Sequence, residues 1–267
     1  MAFGGGDLGE ASMTASAVER VQAAKAILLD LDGCVVEDGR LKPGARGFLR
    51  AFGERISILS NNSTHTPGQI AALLARAGAW IPEGRIHLAG QVALEEAAQR
   101  CGARSVCLLS NATMGRAALA LGLNVSLRAP PNAVILLRDT RFSYPRLARA
   151  VEGLRTGAPF IVSNPDLTHP KSGGVIPETG ALLAAIMACI DPQTVTPVIV
   201  GKPATPLFER ALAAAGVTPT EAIMLGDNPA TDVAGAHSAG VEALLIGGSS
   251  DISLASIMRA DLRLSAT

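Results

Sequence analysis

The sequence predicts an α/β fold: a doubly wound parallel sheet with a smaller α/β domain inserted into it. Three observations carry this. A short, wholly apolar run at 26–29 and a mostly apolar one at 56–59 fit strands buried on both faces, as in parallel sheets. Helical stretches with apolar residues on one face alternate with such runs. The block 86–179 repeats the same alternation and holds strands enough for a domain of its own. The expected division is residues 1–85 and 180–267 for the main domain and 86–179 for the inserted one.

The composition narrows the function classes. The 267 residues suit one large domain or two smaller ones. Aromatic residues are only 3%, so the core must be built of Ala, Leu, Val and Ile. With 23 basic and 23 acidic residues the formal charge is zero, which supports neither nucleic-acid binding nor an anionic membrane surface. The longest apolar stretch, 180–190, falls well short of the ~20 residues a spanning helix needs. No basic residue precedes Arg20, so the start does not read as a secretory signal, and Cys34, Cys101, Cys107 and Cys189 lack zinc or redox spacing. Free buried thiols in a reducing cytoplasm are the expectation.

Taken in order, residues 1–13 are expected to be a flexible tail and 16–25 a short helix. The first strand, at 26–30, is followed by turn residues around Pro43. A second strand at 56–60 leads to Thr66-Pro67, an N-cap and first position of a helix. Ile70, Leu73, Leu74 and Ala77 fall at helical spacing there, and Gly78 stops it. Within the inserted block, strands are expected at 105–109, 133–137 and 160–163, with a helix at 144–154. A helix ends near Ile190, a third core run at 197–200 leads into Gly201-Lys202-Pro203, and a helix follows to Gly216. The runs 222–225 and 241–246 complete the main sheet.

Four of these apolar runs stop on polar residues: Asp30 and Asp32, Ser60 and Asn61, Lys202, and Asp227. In an open parallel sheet, side chains at the carboxyl ends of neighbouring strands converge on a crevice. Asp30, Asp32 and Asp227 could bind Mg²⁺, which takes oxygen ligands and keeps waters. Lys202 supplies a point charge, while Ser60 and Asn61 supply donors. Together they describe a site for a metal-bound phosphate. No His or Cys is placed as nucleophile, so an Asp carboxylate is the natural one. Individually each residue has a blander reading. The Asp pair could be a solvated loop or a cap, Ser60-Asn61 a polar turn, and Lys202 a surface lysine.

At these positions the chain resembles the haloacid dehalogenase superfamily of phosphatases. Its four motifs are matched in order by Asp30-Leu31-Asp32-Gly33-Cys34-Val35, Leu59-Ser60-Asn61-Asn62-Ser63, Gly201-Lys202-Pro203, and Gly226-Asp227 with Thr231-Asp232. The resemblance runs over residues 26–248, and the block between motifs two and three marks a branch whose α/β cap is inserted there. That branch includes p-nitrophenyl, pyridoxal phosphate and phosphoglycolate phosphatases. Asp139-Thr140-Arg141-Phe142-Ser143-Tyr144 and Ser163-Asn164-Pro165-Asp166 are similar to its cap, and Leu167-Thr168-His169-Pro170 looks most like the pyridoxal phosphate phosphatases.

The resemblance implies a Rossmann-like core, Mg²⁺, and hydrolysis of small phosphate monoesters through an aspartyl-phosphate. It makes Asp30 the nucleophile and Asp32 the general acid, whose backbone carbonyl also ligates the metal beside Asp30 and Asp227. Gly33 lets the backbone turn beside the phosphate; Ser60, Asn61, Asn62 and Lys202 hold the phosphoryl group. Asn228 and Asp232 are expected to orient Lys202 or metal-bound water rather than touch the metal. His169 would contact the leaving group, though a lone loop histidine is ordinarily just a surface residue. Cys34 is expected to pack. The partner is a small phosphorylated metabolite, with pyridoxal phosphate and phosphoglycolate as candidates. A homodimer through the cap is left open.

The chain departs from the family in three places. Asn228-Pro229-Ala230 follows Gly-Asp where a bulky or charged residue is usual, and Arg138 and Glu178 stand where the branch commonly has Gly. A receiver-type phosphoacceptor domain also uses Asp, Ser/Thr and Lys at strand ends, but lacks the inserted block and the Asp-x-Asp pair. Phosphoryl transfer to another acceptor is the remaining alternative.

Overall fold

Apolar runs and amphipathic helices alternate along the whole chain, as the sequence pattern requires. The computed structural model describes residues 6–101, 105–126, 130–171, 173–247 and 250–264. It begins with helix α1 (Gly6–Ala23), strand β1 (Ala26–Asp30), a hairpin of β2 (Val36–Glu37) and β3 (Arg40–Leu41), α2 (Ala45–Phe52) and β4 (Ile56–Ser60). Then come α3 (Pro67–Arg76), β5 (Ile86–Leu88), α4 (Ala89–Cys101), β6 (Ser105–Leu109), α5 (Ala112–Ala120), β7 (Asn124–Val125) and β8 (Ala133–Leu136). Next are α6 (Tyr144–Arg155), β9 (Phe160–Val162), a hairpin of β10 (Thr168–Lys171) and β11 (Gly174–Pro177), and α7 (Thr179–Met187). The chain closes with β12 (Val198–Ile199), α8 (Pro206–Ala215), β13 (Ala222–Gly226), α9 (Ala234–Ser238), β14 (Glu242–Leu245) and α10 (Leu254–Leu264). Among the described residues no helix is long and apolar enough to cross a membrane.

Contacts group the chain into two compact units, one of Met1–Ser60, Ile70–His87 and Phe208–Thr267, the other of Asn61–Gln69 and Leu88–Leu207. The first unit is built on a five-stranded sheet of order β14-β13-β1-β4-β5. β1 pairs in parallel with β13 on one side and β4 on the other, and all five of its residues are buried. That accounts for its unbroken apolar character up to Asp30, since each face of a central parallel strand is covered. Helix α2 buries Ala45, Phe48, Leu49 and Phe52, a helical stripe that the turn residues around Pro43 hid from the sequence reading. Helix α1 starts at Gly6, not at Ser16, so residues 6–13 of the expected tail are helical, and residues 1–5 lie outside those described. No proline interrupts the stretch, and Ala17, Val18 and Val21 anchor its last turns in the core.

The second unit holds a five-stranded sheet of order β12-β9-β8-β6-β7, every pairing parallel. Cys107, Leu109, Val134, Leu136, Phe160 and Val162 pack against Ala150 and Leu154 of α6 and Ile186 of α7. Each large side chain buried this way contributes about 1.5–3 kcal/mol.

Three sequence expectations change here. The run at 197–200 does not join the strands ending at Asp30, Ser60 and Gly226: Val198 and Ile199 pair with Ile161 and Val162 at the edge of the second sheet. Only two residues pair, and Ile199 packs against the core of that unit, which sets the choice of sheet. His169 is not in a loop but in β10, opposite Ile176. Cys34 and Cys107 are buried and outside any disulfide among the described residues, as expected, but Cys189 is exposed.

Candidate active site

The carboxyl edge of the first sheet gathers one group of polar residues. Register places Asp30 opposite Leu59 of β4 and Leu29 opposite Leu225 of β13, so three strands end together. Asp30 closes β1, Ser60 closes β4, and Asp227 follows Gly226 at the end of β13. Beyond Asp30 a single bridge from Asp32 to Val36 holds the turn. There the Ser60 hydroxyl donates to Asp32 Oδ2 at 3.0 Å. Donor atoms of Asp30, Cys34 and Asp227 all lie within 4.8 Å of one another, with Asp30 and Cys34 buried and Asp227 half-buried.

Two carboxylates this close, largely out of water, favour a cation between them. Space is tight: a Cβ on Gly33 would stand 2.1 Å from Asp227 Oδ2, and Gly33 has φ +90°. Only glycine carries the backbone past the carboxylate. The departure at 228–230 forms a compact π-helical turn. The Asn228 side chain accepts from the Ala230 N–H at 2.9 Å, and the Asn228 N–H donates to buried Asp232 Oδ2 at 3.1 Å. Proline at the first position of that turn needs no N–H partner, so the insertion is compatible with a fixed Asp232.

The second unit gathers the other expected residues. Lys202 follows β12 and is buried. Its N–H donates to Asn61 Oδ1 at 2.8 Å, and its carbonyl accepts from Asn61 Nδ2 at 3.0 Å. Asn61 Nδ2 also donates to Asp166 Oδ2 at 2.9 Å. The side-chain amide of Asn61 is therefore engaged in holding Lys202, and what it offers a ligand is its backbone. Gly201 permits this approach, since a Cβ there would lie 2.3 Å from the Ser163 carbonyl and 2.6 Å from Asn61 Oδ1. Asn62 Oδ1 accepts from the N–H groups of Thr64 and His65, each at 3.0 Å, and so closes the turn into α3. Asn164 Nδ2 donates to the Asn61 carbonyl at 2.8 Å and reaches Thr179 Oγ1 at 3.4 Å.

Around that network stand the two charged departures. Arg138 Nη1 lies 3.3 Å from Glu178 Oε2. Burial pushes the Glu178 carboxyl above its usual range, opposed by Arg138, by hydrogen bonds from Thr179, and by His169.

The structure thus brings Asp30 and Asp227 together, joins Asp32 to Ser60, and joins Asn61 to Lys202. Asp32's carboxylate is turned to Ser60 and lies outside the close trio. Cys34 stands in the trio instead, where the sequence reading had it only packing; its place two residues after Asp32, in the same turn, was the available signal. The donor set fits a divalent cation: Asp30 and Asp227 supply the oxygen ligands that Mg²⁺ takes, and the Cys34 sulfur is a softer donor that Mg²⁺ does not seek.

Known proteins resemble this chain over most of its length. A dihydroxyacetone phosphatase from Corynebacterium glutamicum is 29% identical over 222 residues, 82% of this chain and 79% of that protein. A 4-nitrophenylphosphatase structure from Thermotoga maritima superposes with a TM-score of 0.80 at 25% identity, covering 90% of this chain and 98% of the other. A glycerol phosphate phosphatase from Mycobacterium tuberculosis in complex with magnesium gives 0.78 at 25% identity, over 88% of this chain and 77% of the other. The family model of haloacid dehalogenase-like hydrolases matches residues 24–240, a span that begins just before β1 and takes in every polar residue described above. By that match, and by the strand-end carboxylates it encloses, the chain belongs to the haloacid dehalogenase-like hydrolases.

Proposed function

We propose that this hydrolase releases phosphate from small phosphorylated metabolites with Mg²⁺, through a phosphorylated Asp30. The observation that supports it most is the pairing of Asp30 and Asp227, brought together at the sheet edge, with an Asp32 held by Ser60. A carboxylate oxygen of Asp30 attacks phosphorus, an Asp30 O–P bond forms, and the bond from phosphorus to the leaving oxygen breaks. Asp32, fixed through its Oδ2, gives its proton to that oxygen. It then takes a proton from water as the water attacks the phosphoryl group and frees Asp30. Asp30, Asp227 and the Asp32 carbonyl would hold Mg²⁺, which when bound offsets phosphate charge. Lys202, held by Asn61, adds a positive charge for the same purpose. Asn228 fixes Asp232 in its turn.

For the leaving group, the relatives named for dihydroxyacetone and glycerol phosphate favour a short polyol or ketose phosphate. Pyridoxal phosphate and phosphoglycolate rank behind it. His169 sits in a paired strand opposite Ile176, and its charge acts on the Glu178 carboxyl, a polar neighbourhood rather than a stacking surface for a flat ring. The purified chain should hydrolyse p-nitrophenyl phosphate in Mg²⁺, and Asp30→Asn should abolish this with the fold intact. Near-wild-type turnover by Asp30→Asn would reject the mechanism.

A further inference from the structure

The carboxyl edge of the second sheet carries polar residues in strand order. β12 runs out to Lys202, its neighbour β9 to Ser163 and Asn164, and the next strand, β8, to Arg138. Adjacent strands are about 4.8 Å apart, so Arg138 stands on the order of 10 Å along this edge from Lys202. A short phosphate ester held at Lys202 and an extended arginine side chain together span that distance. This rests on the phosphatase reading above.

Arg138 and Glu178 form a matched pair anchored from both sides. Their contact is 3.3 Å, with 20% of the Arg138 side chain and 9% of the Glu178 side chain exposed. Glu178 Oε1 accepts from the Thr179 N–H at 3.1 Å and from the Thr179 hydroxyl at 2.9 Å. The Arg138 N–H donates to Ser63 Oγ at 3.0 Å, which ties the pair to the loop that begins at Asn61. Arg138 Nε is buried with no hydrogen-bond partner among the described residues. A buried guanidinium nitrogen left without an acceptor is costly, so the pair's position is set by the exposed part of the guanidinium and its contact with Glu178.

The pair is neutral in sum, so it offers a second anion little attraction, and Glu178 repels one directly. What it does offer, side by side, is donors from arginine and an acceptor from glutamate. A hydroxyl is the group that both donates and accepts. We propose that the Arg138–Glu178 pair is the specificity determinant for the leaving group, reading hydroxyls of a short polyol or sugar phosphate and discriminating against phosphates that also carry a carboxylate.

The test measures kcat/KM for glycerol phosphate and for phosphoglycolate, after wild-type turnover of p-nitrophenyl phosphate has been established. Wild type should favour glycerol phosphate by about tenfold or more, the size expected when buried polar groups are left unpaired. Glu178→Gln unmasks the Arg138 charge and should move the ratio towards phosphoglycolate about tenfold, mainly through KM. Arg138→Gln with Glu178→Gln should bring the ratio near unity. A wild type that prefers phosphoglycolate overturns the proposal, and because it needs no variant this holds even if a substitution unfolds the chain. A ratio unmoved by Glu178→Gln also overturns it. No wild-type turnover of p-nitrophenyl phosphate would overturn the phosphatase reading and this inference together.

Discussion

Arg138→Ala should destabilise the second unit in a pH-dependent way. The substitution removes the cation 3.3 Å from Glu178 Oε2 and strands a carboxyl whose side chain is only 9% exposed. Breaking a fully buried pair costs roughly 3–5 kcal/mol. Arg138 keeps 20% of its side chain in solvent, so about 2 kcal/mol is the working figure. For a chain of this size that lowers Tm by about 4–8 °C. Burial already raises the Glu178 pKa in the folded state, and Arg138 is the largest influence lowering it. A carboxyl raised on folding contributes stability below its unfolded pKa and loses it as pH climbs through the folded value. Without Arg138 the folded value climbs further, so the loss should be smaller at about pH 5 than at about pH 8. Thermal melts of wild type, Arg138→Ala, and Arg138→Ala with Glu178→Gln at both pH values measure this. The double variant should recover most of the loss near pH 8. Equal Tm losses at both pH values, or a double variant no better than the single, would refute the reasoning.

Three further outcomes follow from the first sheet's edge. Chelation should abolish p-nitrophenyl phosphate turnover and Mg²⁺ restore it, while Ca²⁺ binds with a larger, looser shell and supports turnover poorly; full activity in excess chelator would contradict the metal role. Gly33→Ala should raise the Mg²⁺ concentration needed for half-maximal activity, because its Cβ would press to 2.1 Å from Asp227 Oδ2; an unchanged Mg²⁺ titration would show that Asp227 is not a ligand. Ser60→Ala removes the 3.0 Å hydrogen bond to Asp32 and should cost about 1 kcal/mol in kcat/KM with an altered pH–rate profile; an unaltered profile would detach Asp32 from proton transfer.

Much of this site was legible because it is written in contiguous sequence. An apolar run that stops on Asp30-x-Asp32, or on Gly226-Asp227, states both a buried strand and what stands at its end, and those runs do pair in one sheet. The run before Lys202 misled for a physical reason. A two-residue strand is equally apolar in either sheet, and only its pairing with Ile161 and Val162, with Ile199 packed against that unit's core, decides between them. His169 was misjudged as a loop residue because Pro165 and Pro170 read as turn signals. A hairpin of Thr-His-Pro-Lys against Gly-Val-Ile-Pro has no apolar alternation to betray it.

The two substitutions for glycine show where reading by position stops. Taken singly, Arg138 and Glu178 are each an intrusion into a place kept small in related chains, and each would be expected to damage a pocket. Forty residues of sequence separate them, and nothing in either neighbourhood names the other. The fold joins them, because Arg138 lies just beyond the end of β8 and Glu178 caps the first turn of α7. Thr179, next to Glu178, meets Ser63 Oγ at 3.5 Å, and the Arg138 N–H donates to that same oxygen. Each charge is tolerable only because the other is there, so the two are one feature. A chain carrying either alone should be less stable than a chain carrying both or neither, which is a difference a single sequence cannot express and a double-mutant cycle measures directly.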